Sequence, residues 1–201
     1  MKAKADIKDS QIVTGGFQFK GSTRPFADIA HLRFVRTKTT TYVGLPVETT
    51  KIGAEESVGL MISLISGEEI YLSEKPGWIL SSKEEKIQSI ITLYTALSQA
   101  TFASRLASYI KDAEKCGYFV YSRHRFYPSR QVISSDSQEF TRENTDFRRA
   151  YGYIELRPNK PSLAHTIKQK IGASKPITID TLTDTDVIFT ILANYYGLRW
   201  N

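Results

Sequence analysis

The chain has little of what marks secreted, membrane-bound and cofactor-dependent proteins. It contains one cysteine, Cys116, among 201 residues, so no disulfide can form within it. Its longest apolar runs, such as residues 58–65, are far shorter than the ~20 residues that a membrane-spanning helix needs. Met1 is followed by Lys2 and Lys4 rather than by an apolar leader. We therefore expect a cytoplasmic protein that is neither secreted nor inserted in a membrane.

Short catalytic and cofactor motifs are also missing. The sequence has no glycine-rich dinucleotide or phosphate loop, no HExxH, no CxxC and no GxSxG. Their absence excludes only the enzymes built on them, because an active site assembled from distant residues leaves no local pattern. We predict no cofactor, no metal site and no catalytic residue, and keep an enzyme with a dispersed site as an alternative.

The composition is otherwise that of a folded globular protein. Hydrophobic residues make up 41% of the chain and charged residues 24%, which argues against disorder and against fibrous folds. The net charge of +6 comes from two basic segments, residues 1–45 and 118–160, separated by an acidic segment, residues 46–81. A basic excess of this size is compatible with an anionic partner, including nucleic acid.

The first part of the chain has the pattern of a β-sheet. Alternating apolar and polar residues and runs of threonine predict strands, whereas residues 44–53, which contain two glycines and a proline, predict a loop. A tight turn containing Gly67 should join the last two strands into a hairpin. The predicted strands are residues 12–13, 17–19, 26–35, 37–42, 58–65 and 68–73.

A long amphipathic helix should follow. Ser82 and Glu85 have capping-box spacing, apolar residues then recur at intervals of three and four, and Gly117 is a natural end. If unbroken, this helix would be about 50 Å long. We expect it to break or bend once between Ser98 and Thr101.

The last part of the chain alternates strands and short helices. A strand over residues 118–127 should pair with residues 131–134 through a turn at Pro128, and residues 147–157 and 177–179 also have strand patterns. Residues 163–171 predict a short helix. A final helix should begin at Thr183, in a second capping box, and end at Gly197.

This order of elements predicts an α+β fold. Two units, each a set of strands followed by a helix, indicate curled antiparallel sheets or small partly open barrels, each covered by a helix. We expect two β-rich lobes, residues 1–117 and 118–201, joined by the long helix. The alternative is that the two lobes pack closely as one domain. A bent sheet closed by one helix resembles pleckstrin-homology-like modules, and no motif assigns the chain to that family.

The isolated polar residues favour structural roles. The three histidines fall on three predicted elements, so they do not indicate a metal site. Three aspartates near the last helix could hold Mg²⁺ or share a proton, but acidic residues are favoured at a helix start without any catalytic role. The residues are His31, His124 and His165, and Asp180, Asp184 and Asp186.

Two further residues have more than one interpretation. Cys116 lies near the end of the amphipathic helix, where we expect it to pack rather than to react. Trp200 is unusual at a chain end, which is commonly polar. We expect Trp200 to dock onto the core, with a role as an anchor for a partner as the alternative.

The segment 118–130 is the strongest local indication of a partner, because aromatic and basic residues alternate along it. Strand alternation would place Arg123, Arg125 and Tyr127 on one face with Phe119 and Tyr121. Arginines from neighbouring strands would enlarge this basic surface. The predicted binding residues are Tyr121, Arg123, Arg125, Tyr127, Arg130, Arg148, Arg149 and Arg157.

Three functions are compatible with that surface. The first is a non-catalytic interaction or regulatory module that binds another protein. The second is sequence-tolerant nucleic-acid binding, and the third is a dispersed active site that uses His124 with Arg123 and Arg125. The structural alternative is that Arg123 and Arg125 form cross-strand pairs with Glu143, Asp146 or Glu155.

Overall fold

The computed structural model describes residues 2–5, 7–45, 48–74, 81–135, 138–159 and 177–198. Within these ranges lie two α-helices, α1 (Ser81–Cys116) and α2 (Thr185–Tyr196). The strands are β1 (Lys2–Ala5), β2 (Ser10–Val13), β3 (Gly16–Phe19), β4 (Ser22–Pro25), β5 (Ile29–Leu45), β6 (Glu48–Leu64), β7 (Glu69–Glu74), β8 (Phe119–Tyr121), β9 (His124–Tyr127), β10 (Val132–Ser135), β11 (Gln138–Phe140), β12 (Thr145–Ala150), β13 (Tyr153–Pro158) and β14 (Ile177–Asp180).

The chain divides into two compact units, residues 1–103 and 104–201, and α1 contributes residues to both. The lobe boundary predicted after Gly117 falls at the C-terminal end of α1, whereas the compact units divide within the helix. The division into lobes of residues 1–117 and 118–201 stays a prediction.

The first unit contains two sheets. One is four-stranded in the order β1-β7-β6-β5, with β1 parallel to β7 and the other pairs antiparallel, and the other is the antiparallel sheet β2-β3-β4. The predicted β6–β7 hairpin is confirmed, and Gly67 in its turn has a φ of +82°. That conformation suits glycine because it has no Cβ.

The loop predicted over residues 44–53 is wrong for residues 44–45 and 48–53, which belong to strands, and its residues 46–47 lie outside the described part of the chain. Strands β5 and β6 are each 17 residues long and pair from Ile29 and Leu64 as far as Leu45 and Glu48. A shift in their register next to Gly53 inserts one extra residue into β6. Glycine inside a strand often marks such a bulge, which explains why Gly53 lies within β6 rather than in a loop.

The core of the first unit contains residues of the four-stranded sheet and of the N-terminal part of α1. Alternate residues of β6 and β7 are buried, and Ile90, Leu93 and Leu97 of α1 belong to the same cluster. The rings of Phe34 and Tyr94 stack with their centroids 4.4 Å apart. Burial of apolar side chains on one helix face explains why the intervals of three and four predicted α1.

The break predicted between Ser98 and Thr101 is wrong, since α1 is continuous over 36 residues. Its sequence contains no proline or glycine, and Thr101 Oγ1 donates to the Leu97 carbonyl at 2.7 Å without interrupting the helix. The predicted end is confirmed: Gly117 has a φ of +78° and donates its N–H to the Ala113 carbonyl. No helix in the described part of the chain is long and apolar enough to cross a membrane.

The second unit contains the antiparallel sheets β11-β10-β9-β8 and β12-β13-β14, with α2 and the C-terminal part of α1. Helix α2 ends at Gly197 as predicted, but it begins at Thr185 rather than at Thr183, with Asp184 as its N-cap residue. The α+β class with curled sheets is confirmed, and none of the four described sheets closes into a barrel. The helix predicted over 163–171, with His165, and Trp200 lie outside the described residues.

Candidate functional site

The segment 118–127 is two strands rather than one. Strands β8 and β9 form a hairpin whose two-residue turn is Ser122–Arg123, with φ values of +49° and +71°. Positive φ at both central residues is the mark of a turn that matches the twist of a hairpin. The Ser122 hydroxyl accepts a hydrogen bond from the Asp180 N–H at 2.8 Å, which connects this turn to β14.

This turn makes the predicted face assignment wrong. Phe119 and Tyr121 share the buried face with His124 and Phe126, and the rings of Phe119 and Phe126 stack at 5.0 Å. Tyr121 donates its hydroxyl proton to the Thr183 carbonyl. Tyr121, predicted as a binding residue, therefore lies in the core of the second unit.

The opposite face of the same sheet carries alternating arginine and tyrosine side chains. The Arg125 guanidinium lies over the Tyr118 ring at 5.3 Å, and the Arg130 guanidinium lies over the Tyr127 ring at the same distance. The two rings are 5.4 Å apart and inclined at 45°. We call these four residues the arginine–tyrosine ladder.

The two arginines of the ladder differ in their ionic partners. Arg130 binds the Glu139 carboxylate, with its Nη2 3.1 Å from Oε1 and 3.4 Å from Oε2. Arg125 is exposed and has no ion pair with any side chain that the structure describes. A row of paired residues, Val120, Arg125, Ser134 and Glu139, crosses the four strands beside the ladder.

Two of the predicted arginines lie on a different sheet, where they are neutralised. Arg148 binds Asp146 at 2.6 Å, and Arg157 binds Glu155 at 2.8 Å. The hydrogen bond to Glu155 raises the pKa of Arg157. The cross-strand pairs predicted as the structural alternative are therefore wrong for Asp146 and Glu155, because each of these acids binds an arginine of its own strand rather than Arg123 or Arg125.

The remaining predicted arginines are also separated. Arg149 occupies the face of β12 opposite to that of Arg148, since adjacent residues of a strand point to opposite faces, and its guanidinium lies 4.5 Å from the Phe189 ring centroid. Arg123 is exposed at the hairpin turn. Of the eight predicted binding residues, the ladder unites Arg125, Tyr127 and Arg130, and it adds Tyr118.

A buried ionic cluster, which the sequence analysis missed, joins α1 to the start of α2. Arg105 donates from Nη1 to Asp184 Oδ1 at 2.8 Å and from Nη2 to Asp186 Oδ2 at 2.7 Å. Tyr109 donates its hydroxyl proton to Asp184 Oδ2 at 2.9 Å. The side chains of Arg105 and Asp184 are inaccessible to solvent, whereas that of Asp186 is 26% exposed.

The electrostatics of this cluster are those of a structural contact. Burial alone would lower the pKa of Arg105, but the hydrogen bond to Asp186 and the charge of Asp184 raise it. Burial and the neighbouring Asp184 charge raise the pKa of Tyr109 far above its ordinary value. Arginine stays protonated and tyrosine stays neutral, so two of the three predicted aspartates are held by fixed donors.

Among the described residues, the catalytic trio predicted as an alternative is separated. His124 Nε2 lies 2.9 Å from the Thr178 carbonyl on the buried face, whereas its neighbours Arg123 and Arg125 are exposed, so the proposed catalytic trio does not converge. His124 Nδ1 is buried and makes no hydrogen bond within the described structure. Asp180 Oδ1 accepts from the Leu182 N–H at 2.8 Å.

The packing predicted for Cys116 is wrong, because its side chain is exposed at the end of α1. His31 is exposed on β5, as expected for a residue on a sheet face. Among the described residues, no group of three or more histidine, cysteine, aspartate or glutamate side chains is arranged to hold a metal ion.

Comparison with known proteins gives no match to any family model, curated protein or solved structure. The resemblance to pleckstrin-homology-like modules stays a prediction.

Proposed function

We propose that this chain is a non-catalytic interaction module that binds another protein through the arginine–tyrosine ladder. The observation that supports this function is the stack of exposed Arg125 and Arg130 on half-buried Tyr118 and Tyr127. Arginine and tyrosine are enriched among the residues that dominate protein interfaces. The lone cysteine is compatible with action in the cytoplasm, which is part of the same proposal.

The rigidity of the ladder favours its use as a binding surface. A guanidinium stacked on a ring keeps its N–H groups at its edge, where they can reach a partner, and loses less conformational entropy on binding than a free side chain. The scaffold beneath is fixed, because Phe126 is fully buried and contacts Phe119 and Tyr196.

Nucleic acid is the less favoured ligand. Single-stranded nucleic acids bind to open aromatic faces on which bases stack, and in the ladder a guanidinium lies over each tyrosine ring. Phosphate binding also needs cations that are free of carboxylates, whereas Arg130, Arg148 and Arg157 are paired with acidic side chains.

A pull-down from native lysate tests the proposal. The tagged protein is incubated at low and at high salt, and bound proteins are identified by mass spectrometry while bound nucleic acid is measured by absorbance. We expect a discrete protein that is retained by the wild type and lost with Arg125→Ala. Arg148→Ala is the matched control, since it removes an exposed arginine that lies outside the ladder, and it should retain the partner.

Two results would contradict this function. One is a captured protein whose yield is the same for wild type and Arg125→Ala. The other is capture of nucleic acid alone, released as salt rises, which would establish the alternative ligand.

A further inference from the structure

We infer that Arg125 on Tyr118 is a receptor for a carboxylate of the partner, so that the ladder recognises an acidic protein segment. This inference rests on the proposed function and names the chemistry of its ligand. The same ladder already contains one contact of this kind, because Arg130 binds the carboxylate of Glu139.

The two arginine–tyrosine pairs are alike in geometry. Each guanidinium lies 5.3 Å from the centroid of its ring, and the two rings contact each other. Arg130 uses Nη2 to bind the Glu139 carboxylate while it remains over Tyr127. Stacking on tyrosine is thus compatible with binding a carboxylate.

The difference between the pairs lies in occupancy. Arg130 and Glu139 are 57% and 53% exposed and neutralise each other on the surface. Arg125 is exposed and, among the described side chains, has no carboxylate partner. A planar guanidinium fixed on a ring presents hydrogen-bond donors in the geometry that a carboxylate accepts, so Arg125 is the position at which an external acidic group is best bound.

The surroundings of Arg125 describe the segment further. Val120, directly across from Arg125 on β8, is 58% exposed. On the other side Ser134 is paired with Arg125 on β10 and is half-buried. A segment in which an acidic residue is next to an apolar one matches this order of a cation beside an exposed valine.

Fluorescence anisotropy with a defined probe tests the inference on the full chain. The probe is a short labelled peptide that alternates valine and glutamate, and its control has glutamine in place of glutamate. We expect the wild type to bind the glutamate peptide and Arg125→Ala to bind it at least about tenfold more weakly, which is the lower limit for the loss of one hydrogen bond to a charged group. Arg125→Lys keeps the charge but loses the planar fork, so its affinity should fall between the two.

A second variant tests the role of Glu139 as an internal ligand. Glu139→Gln releases Arg130 and should tighten binding of the glutamate peptide about two- to fivefold. Asp146→Asn makes the same change of charge on the other sheet, where Asp146 binds Arg148, and it should leave the affinity unchanged. An equal effect of the two variants would show general electrostatic attraction and overturn the inference.

Other outcomes also overturn the carboxylate receptor. They are equal binding of the glutamate and glutamine peptides, full affinity in Arg125→Ala, or tighter binding of a labelled single-stranded DNA than of the peptide. Failure of the proposed function is read separately in the pull-down. A partner lost with Arg125→Ala, together with no glutamate-peptide binding, would leave the function standing and remove only the inferred ligand.

Discussion

Replacing Arg105 with methionine should unfold or strongly destabilise the second unit. Methionine fills much of the arginine volume but cannot bind Asp184 or Asp186, so both carboxylates would lose the guanidinium that donates to them. Asp184 is the critical one, since its side chain has no solvent exposure, so water cannot replace the lost guanidinium hydrogen bond. Removing one partner of a buried ion pair costs about 3–5 kcal/mol.

Two companion variants locate the source of this loss. Arg148→Met makes the same substitution in a pair whose side chains are 58% and 47% exposed, and it should cost less than about 1 kcal/mol. Asp184→Asn in the Arg105→Met background removes a buried negative charge while the amide oxygen can still accept from Tyr109. The double variant should therefore be more stable than Arg105→Met alone, by about 1–2 kcal/mol.

Urea denaturation followed by circular dichroism measures these differences. With a slope of about 2 kcal/mol per molar urea, the Arg105→Met midpoint should fall by about 1.5–2.5 M. Hydrogen exchange of the α2 amides shows whether the second unit is the part that opens. A midpoint equal to that of Arg148→Met, or a double variant less stable than Arg105→Met, would refute the argument that the buried charge of Asp184 depends on Arg105.

Three further predictions concern buried tyrosines and turns. Burial raises the pKa of Tyr109 and of Tyr196 above the ordinary value of 10. The stabilisation that each neutral hydroxyl gives the folded state is therefore complete below about pH 10. Above that pH the free energy of unfolding falls by about 1.4 kcal/mol per pH unit for each tyrosine. Urea titrations at increasing pH should show a shallower fall for the variant with phenylalanine at both positions, and an unchanged slope would contradict this. Arg123→Gly should raise stability by up to about 1 kcal/mol, because φ at this position is +71°, and it should leave ladder binding intact; a lower melting temperature would argue against it. Gly152→Ala should cost more than Gly67→Ala, since both have a φ near +80° but only at Gly152 would a Cβ meet Leu182, at 3.2 Å; equal melting temperatures would contradict the steric part.

The sequence predicted the elements that have strong local signals. Glycines with positive φ ended α1 and α2 and turned the β6–β7 hairpin where expected, because these positions disfavour residues with a Cβ. The turn at Ser122–Arg123 was missed for the opposite reason: neither residue is typical of a turn with positive φ, so the strand pattern continued through it. Because the chain reverses at this turn, Tyr121 lies in the core, on the face opposite to Arg125.

The sequence contains a partial indication of the buried Arg105 cluster. Thr101, Arg105 and Tyr109 are spaced by four residues and share one face of α1, so Arg105 belongs to the buried stripe. A buried arginine requires acidic partners. Asp184 and Asp186 were visible in the sequence, but pairing them with Arg105 depends on contacts between residues about 80 positions apart, which local patterns do not contain.

The continuity of α1 has a consequence for how the protein folds. Helices propagate cooperatively and short ones are marginal in water, so residues 104–116 are a poor helix without the turns that precede them. Leu97 is buried in the first unit and Arg105 in the second, two helical turns further on. Melting of either core should therefore fray the helix that the other core uses, and a fragment cut at residue 104 should be less stable than the same unit within the whole chain.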